Sequence, residues 1–67
     1  MKAVSGKEMC KILERNGWKL HKVKSSHHRY KKPGHREIVV PVYGNKTLKT
    51  GTQQGIMKAA GLTEDDL

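Results

Sequence analysis

The sequence WKLHKVKSSHHRYKKPGHREIVVPVY, residues 18–43, decides the fold. Three segments in it have the composition or partial alternation of β-strands: 18–24, 27–32 and 36–43. Two short turn signals separate them, Ser25-Ser26 and Pro33-Gly34, and the second is the pair that type II turns prefer. Because such short connections join antiparallel neighbours, the stretch predicts a three-stranded meander.

The third of these segments is the most apolar and should supply much of the core. Ile38, Val40 and Val42 alternate and therefore share one face of the strand. Pro41 has no amide hydrogen for a neighbouring strand, which predicts an edge strand or a bulge. At the start of the first segment, Trp18 would share a face with Leu20, opposite Lys19 and His21. Trp18 is expected to anchor the core, and the alternative is a surface that stacks on a nucleobase.

A helix is predicted before the strands. Ser5-Gly6-Lys7-Glu8 has the form of a capping box, in which the serine and glutamate side chains bind each other's backbone amides. Met9, Ile12 and Leu13 follow at the spacing of one helical face. Asn16-Gly17 supplies a stop, so the helix should run from about Ser5 to Asn16.

A second helix is predicted after the strands. Thr50 or Thr52 is placed to cap it, and Gly61 to end it. The order helix, three strands, helix predicts an α+β domain with both helices on one face of an antiparallel sheet. The other face would stay partly open. Residues 1–67 should form one domain, because so short a chain holds only a modest core.

The charge of the chain points to a polyanionic partner. Its formal net charge is +8 and its pI is near 9.9, which suits nucleic acid, an acidic protein or an anionic membrane. No apolar run could span a bilayer, and residues 1–4 lack the apolar core of a signal peptide. Cys10 is the single cysteine, so no internal disulfide can form. We therefore expect a cytoplasmic protein with no role at a membrane.

His27 is the strongest candidate for a catalytic residue. Strand periodicity puts His28 on the face of Tyr30, and His27 on the other face with Arg29 and Lys31. Tyr30 is the larger apolar group and should face the helices, which leaves His27 on the open side. There an imidazole could accept a proton from an RNA 2′-hydroxyl or donate one to a leaving oxygen, since its ordinary pKa of about 6.5 suits both steps.

Other interpretations of this stretch stay open at the level of sequence. His27 could be an ordinary surface histidine on a basic face. A metal site is disfavoured because His27 and His28 point apart and no zinc-type Cys/His spacing occurs, so no metal or cofactor is expected. The hydroxyl of Ser26 does not indicate a serine hydrolase, since neither a Gly-x-Ser-x-Gly elbow nor a paired acid is evident.

In its motifs and their order the chain resembles HicA, the small mRNA-interferase toxins of bacterial and archaeal HicAB toxin–antitoxin systems. The resemblance covers nearly the whole chain. It rests on Leu13-Glu14-Arg15-Asn16-Gly17-Trp18, the Ser26-His27 step with Tyr30, the Pro-Gly turn, Ile38-Val39-Val40-Pro41, and two segments of the C-terminal part, Leu48-Lys49-Thr50-Gly51-Thr52 and Ile56-Met57-Lys58-Ala59-Ala60-Gly61-Leu62-Thr63.

The resemblance implies a double-stranded-RNA-binding-domain-like fold, α-β-β-β-α, which agrees with the elements predicted above. It also implies a catalytic histidine that follows a short turn and lies three residues before an aromatic or aliphatic position. On this chain that residue is His27, with Tyr30 three positions on. One departure is visible, because the family usually has glycine where Ser25 stands.

The implied activity is that of an RNA endonuclease toxin that needs no metal and inhibits translation by cleaving mRNA. The implied protein partner is a HicB-type antitoxin encoded beside it. Five residues are predicted to bind RNA around His27: Lys22, Lys24, Ser26, Arg29 and Lys31. Two alternatives are a non-catalytic RNA-binding module of the same fold and a basic partner of an acidic protein.

Overall fold

The structure is a computed structural model that describes residues 2–67; Met1, the first residue of the segment considered for a signal peptide, lies outside them. The elements in chain order are α1 Gly6–Arg15, β1 Lys19–Lys24, β2 His27–Lys31, β3 Ile38–Pro41, α2 Thr50–Ala60 and a 3-10 turn Glu64–Asp66. The strands form one antiparallel sheet in the order β1-β2-β3. The α+β class and the order α-β-β-β-α are confirmed. No helix within residues 2–67 is long and apolar enough to cross a membrane.

One face of the sheet carries the core. Tyr30, Ile38 and Val40 are buried on it, and apolar residues of both helices pack against them. Trp18 is 2% exposed within the same cluster, so it is the core anchor that its position predicted. Because the helices cover this face, the residues that alternate with Tyr30 along β2 are left on the opposite side of the sheet.

The first helix begins as its sequence predicts. The amide of Glu8 donates to Ser5 Oγ (3.1 Å), and the amide of Ser5 donates to Glu8 Oε1 (3.0 Å), which completes the capping box. Gly6 is buried against the end of β3, where a Cβ atom would collide with the carbonyl oxygen of Pro41. The first turn of α1 can therefore approach β3 only because residue 6 has no side chain.

The second helix differs from the prediction at its start. Lys49, and not Thr50 or Thr52, is the N-cap residue, and it makes no side-chain capping bond. The amide of Leu48 donates to the carbonyl of Val4 (2.9 Å), and this pairing holds the chain extended up to the first helical residue. The predicted end is confirmed, since Gly61 has a φ of 68° in the left-handed region.

Two strands differ from the prediction: β3 is shorter than predicted, and β1 is irregular. β3 runs over Ile38–Pro41 and not over 36–43, because only these residues pair with β2. As Pro41 predicted, β3 is an edge strand. β1 is the other edge, and the helices leave all of its residues exposed. Leu20, expected to share a buried face with Trp18, is therefore 48% exposed.

A β-bulge in β1 changes the predicted alternation of that strand. The register shifts between Leu20 and Lys22, so that His21 has no partner on β2. Side chains directly opposite in an antiparallel pair share a face. Three lysines of β1 therefore lie on the face away from the core, each opposite a residue of β2: Lys19 opposite Lys31, Lys22 opposite Arg29, and Lys24 opposite His27.

Candidate active site

His27 is the first residue of β2 and is exposed. Its Cα partners are Lys24 on β1 and Pro41 on β3, so the imidazole lies between two neighbouring strands at the turn end of the sheet. His28 lies on the core side, opposite Val40, and is half-buried. The predicted separation of the two histidines onto opposite faces is confirmed.

The turn before His27 consists of Ser25 and Ser26. Ser25 has a φ of 56°, and it is the only residue other than glycine with positive φ within residues 2–67. A two-residue hairpin loop needs positive φ at its first central position, which glycine adopts without steric cost and serine does not. The amide of Val42 donates to the carbonyl of Ser26 (2.7 Å), which fixes the turn to the end of β3.

We call the sheet surface away from the helices the open face and define it by its basic residues and His27: Lys19, Lys22, Lys24, His27, Arg29 and Lys31. Cross-strand pairing arranges them in three rows along the sheet. A depression of about 270 Å³ at the His27 end is lined by Lys24, Ser25, His27, Arg29 and Val39. An anion bound there would meet two cations, Lys24 and Arg29, beside the imidazole.

Glu37 supplies a carboxylate beside this surface. Between residues 16 and 63, Glu37 is the one acidic residue in the sequence. Its Oε1 lies 3.1 Å from an Nη atom of Arg29, and the two side chains are 28% and 43% exposed. Arg29 lies one row from His27, and its Nε atom is buried without a hydrogen bond in the described part of the chain. A phosphate at the open face would compete with Glu37 for this guanidinium.

Tyr30 and Cys10, two titratable groups of the core, are held in surroundings that keep them protonated. Tyr30 donates its hydroxyl hydrogen to Glu14 Oε2 (2.7 Å). Burial, followed by the hydrogen bond to Glu14, raises the pKa of Tyr30 well above its usual range, so its hydroxyl stays protonated at neutral pH. Burial likewise raises the pKa of the Cys10 thiol, which fits the packing role predicted for it and not that of a reactive thiol.

The comparisons with known proteins agree with this architecture. A family model described as the HicA toxin of bacterial toxin-antitoxin matches residues 6–62. The chain belongs to the HicA toxin family. A solved structure described as a toxin-antitoxin complex from Streptococcus pneumoniae contains a chain that is 37% identical, and the match covers 88% of this HicA chain and 98% of that chain with a TM-score of 0.76. Among curated protein sequences, none matches significantly.

In this HicA toxin, four of the five residues predicted to bind RNA lie on the open face with His27: Lys22, Lys24, Arg29 and Lys31. Ser26, the fifth, is half-buried in the turn, and its backbone carbonyl is already bonded to Val42. Within residues 2–67 no three His, Cys, Asp or Glu side chains are grouped so that they could hold a metal ion.

The sequence prediction missed Glu37 and Pro41 as neighbours of the site. The isolation of Glu37 among basic residues was visible in the sequence and could have marked it as an internal partner for a cation. Pro41 was expected only to mark an edge strand or a bulge, whereas it is the direct cross-strand partner of His27 on β3.

Proposed function

We propose that this HicA toxin is a metal-independent RNA endonuclease in which His27 is the catalytic acid–base residue, and that residues 1–67 act as one toxin domain. The observation that carries the proposal is the position of His27, an exposed imidazole beside Lys24 and Arg29 on an open cationic face. RNA supplies both the phosphate that such a face binds and the 2′-hydroxyl that an imidazole can deprotonate.

The chemistry follows from this placement. Neutral His27 accepts the proton of the 2′-hydroxyl, whose oxygen attacks the adjacent phosphorus and forms a 2′,3′-cyclic phosphate. The bond from phosphorus to the 5′-oxygen breaks, and that oxygen takes a proton from water and leaves as a 5′-hydroxyl. If His27 acts instead as the acid, it donates that proton, and water accepts the proton of the 2′-hydroxyl. One positioned group of this kind contributes about 10²–10⁴-fold in rate.

The neighbouring cations hold the phosphate and stabilise the negative charge that develops on it. Lys24 pairs directly with His27, and Arg29 lies in the next row. Fixed positive charges aimed at the phosphate lower the barrier without further rearrangement. Lys22 and Lys31 extend the same surface along the sheet, where they bind phosphates that are not cleaved.

The proposed target is mRNA, whose cleavage in the cytoplasm stops translation. The proposed protein partner is a HicB-type antitoxin. The similar chain from Streptococcus pneumoniae belongs to a toxin-antitoxin complex. An antitoxin that covered the open face of this chain would need an acidic surface, and it would exclude RNA from His27.

The test compares wild type with His27→Ala for binding and for cleavage of RNA in the presence of EDTA. We expect His27→Ala to retain RNA binding and lose cleavage. His35→Ala is the matched control, because His35 is exposed in the turn at the opposite end of β2. Binding without cleavage by wild type would favour the non-catalytic RNA-binding module. Cleavage by His27→Ala at the wild-type rate would reject the site assignment.

The route of the reaction has its own test. A single 2′-deoxy substitution at the cleaved position removes the nucleophile, so we expect cleavage there to stop while RNA binding persists. Products with 2′,3′-cyclic phosphate ends are expected from unmodified RNA. Unchanged cleavage of the 2′-deoxy substrate would show that water, and not the 2′-oxygen, attacks the phosphorus.

A further inference from the structure

A second cavity adjoins the candidate active site and has no role in the mechanism above. Its volume is about 340 Å³, and it lies between the end of β3, the following loop and the start of α2. Small-ligand sites occupy about 300–1,000 Å³, so the cavity is large enough for one flat ring system. Its principal lining residues are Pro41, Tyr43, Lys46, Leu48, Lys49 and Thr52.

The cavity lies beside His27. Pro41 lines the cavity and is also the direct cross-strand partner of His27. Partners in an antiparallel pair have Cα atoms about 4.5–5.5 Å apart, so a single residue separates the imidazole from the cavity. The hydrogen bond from the amide of Val42 to the carbonyl of Ser26 joins the end of β3, beside Pro41, to the turn before His27.

Tyr43 gives the cavity an aromatic surface. Tyr43 is 56% exposed, the largest exposure among the large hydrophobic residues described, and it does not belong to the core cluster. The fold therefore gains little from this ring. Every nucleobase has a π-face, and exposed aromatic side chains are the usual surfaces on which single-stranded bases stack.

The remaining lining groups suit the rest of a nucleotide. Lys46 and Lys49 are exposed and can pair with backbone phosphate, whereas buried Leu48 supplies an apolar wall. Thr52 offers a hydroxyl that can donate or accept a hydrogen bond. Among residues 2–67 no acidic residue lines the cavity, so no carboxylate there repels a polyanion.

We propose that this cavity is a nucleobase subsite for single-stranded RNA, in which the nucleotide next to the cleaved phosphate stacks its base on Tyr43 while Lys46 and Lys49 bind its backbone. That the neighbouring phosphate is the cleaved one depends on the proposed function of His27. Stacking on one aromatic face tolerates every base, so the subsite strengthens binding of unpaired RNA more than it selects a sequence. A duplex would keep its bases paired and could not reach the ring.

The experiment uses RNA oligonucleotides carrying one 2-aminopurine, a base whose fluorescence falls on stacking, moved through successive positions. Full-length His27→Ala protein serves as the binder, so that the RNA stays intact. We expect quenching at a position adjacent to the cleavage site mapped with wild type. Adding Tyr43→Ala should abolish that quenching and weaken RNA binding by about 5- to 150-fold, the range for loss of one base–aromatic stack.

Matched variants separate stacking from general effects. Tyr43→Phe keeps the ring and should retain quenching, whereas Leu20→Ala removes an exposed apolar side chain from the other edge of the sheet and should change nothing. Lys46→Gln and Lys49→Gln should weaken binding, and Lys58→Gln, an exposed lysine later in α2, should not. Quenching and affinity unchanged by Tyr43→Ala would overturn the subsite, whatever His27 does.

The catalytic role proposed for His27 can be wrong while the nucleobase subsite is right. If His27→Ala still cleaves, the oligonucleotide is replaced by an all-2′-deoxy backbone with the same fluorescent base. Quenching that depends on Tyr43 would then support the subsite while the catalytic assignment falls. If the same sequence is bound equally well as a duplex and as a single strand, the proposed preference for unpaired bases is wrong.

Discussion

The pleat of β2 gives two adjacent histidines different surroundings. His27 is exposed on the open face beside Lys24, whereas His28 faces Val40 and has its Nδ1 atom buried without a hydrogen bond in the described part of the chain. The sequence predicted this division because side chains alternate along any strand. Which cation would pair with Glu37 could not be predicted, because the contact with Arg29 depends on where the chain leaves the Pro-Gly turn.

Ser25 is a point of backbone strain beside the candidate active site. Placing a residue with a Cβ atom in the left-handed region costs about 1–2 kcal/mol. Replacing it with glycine removes this strain but destabilises the fold by about 0.5–1 kcal/mol, because the unfolded chain gains entropy. We therefore expect Ser25→Gly to increase the free energy of unfolding by about 0.5–1 kcal/mol, measured by urea titration.

Ser26→Gly is the matched control for this prediction. Ser26 does not have positive φ, so glycine there should lower the free energy of unfolding by about 0.5–1 kcal/mol. Equal effects of the two substitutions would mean that the backbone at Ser25 carries no particular strain.

At the scale of elements, α1 packs against the strand that pairs with His27. Gly6 lies against the backbone of Pro41, the same residue that pairs with His27. The capping box of α1 was predicted from sequence because its residues are local. The cap of α2 was not, because the long-range bond from Leu48 to Val4 decides where that helix begins.

Buried Gln53 also makes long-range hydrogen bonds, which join α2 to the N-terminal segment. Its Oε1 accepts from the amide of Val4 (3.0 Å), and its Nε2 donates to the carbonyl of Lys2 (2.6 Å). Nothing local in the sequence marks a glutamine in α2 as the partner of residues about fifty positions earlier. The bulge in β1 escaped prediction for a similar reason, since only pairing with β2 shows that His21 is the extra residue.

The contact at Gly6 leads to a stability prediction. Gly6→Ala forces a Cβ atom onto the carbonyl of Pro41, and overpacking of this kind costs about 1–3 kcal/mol. We expect the free energy of unfolding to fall by that amount in a urea titration. Cleavage of RNA should fall as well, because Pro41 must shift away from its pairing with His27.

Gly55→Ala is the control in the other helix. In the described part of the chain, no atom outside the helix backbone lies within 4 Å of a Cβ placed there, and alanine is favoured over glycine in helices by up to about 1 kcal/mol. The free energy of unfolding should therefore rise. A fall for both glycine variants would indicate that alanine is tolerated poorly for reasons other than the contact with Pro41.

The capping box also predicts a dependence on pH. Hydrogen bonds from the backbone and then the side chain of Ser5 lower the pKa of Glu8 below its ordinary value of 4.5. A carboxylate with a lower pKa in the folded state stabilises the fold above its unfolded pKa, and this stabilisation is lost as pH falls through the folded value. The melting temperature should therefore drop below about pH 4.5, and less steeply in Glu8→Gln. Parallel curves for the two proteins would contradict the role of Glu8.

At the scale of the whole molecule, charge is divided between surfaces. Five of the six acidic residues lie in α1 or in residues 64–66, and the strands contain none. The sequence predicted a cationic protein, but only the register of β1 against β2 shows that its cations form rows beside His27. The cavity next to Pro41 likewise depends on tertiary packing, which is why Tyr43 was not identified as a binding residue.

This division predicts how RNA binding should respond to salt. Each phosphate that a cation neutralises on single-stranded RNA contributes about 0.7 to the slope of log affinity against log salt concentration. Lys22→Gln should reduce the slope by about that amount when binding is measured on the His27→Ala background, whereas Lys58→Gln should leave it unchanged. An unaltered slope for Lys22→Gln would remove this lysine from the RNA-binding surface.

The rate of RNA cleavage in EDTA under single-turnover conditions, with protein in saturating excess, tests the role of His27 most directly, because the measured rate then excludes differences in binding. We predict that His27→Ala is slower than wild type by about 10²-fold or more at an unchanged melting temperature. His35→Ala, which loses a ring contact with Trp18 (centroids 5.3 Å apart), should still cleave at the wild-type rate. A rate for His27→Ala equal to that of wild type would contradict the proposal that this histidine transfers the proton.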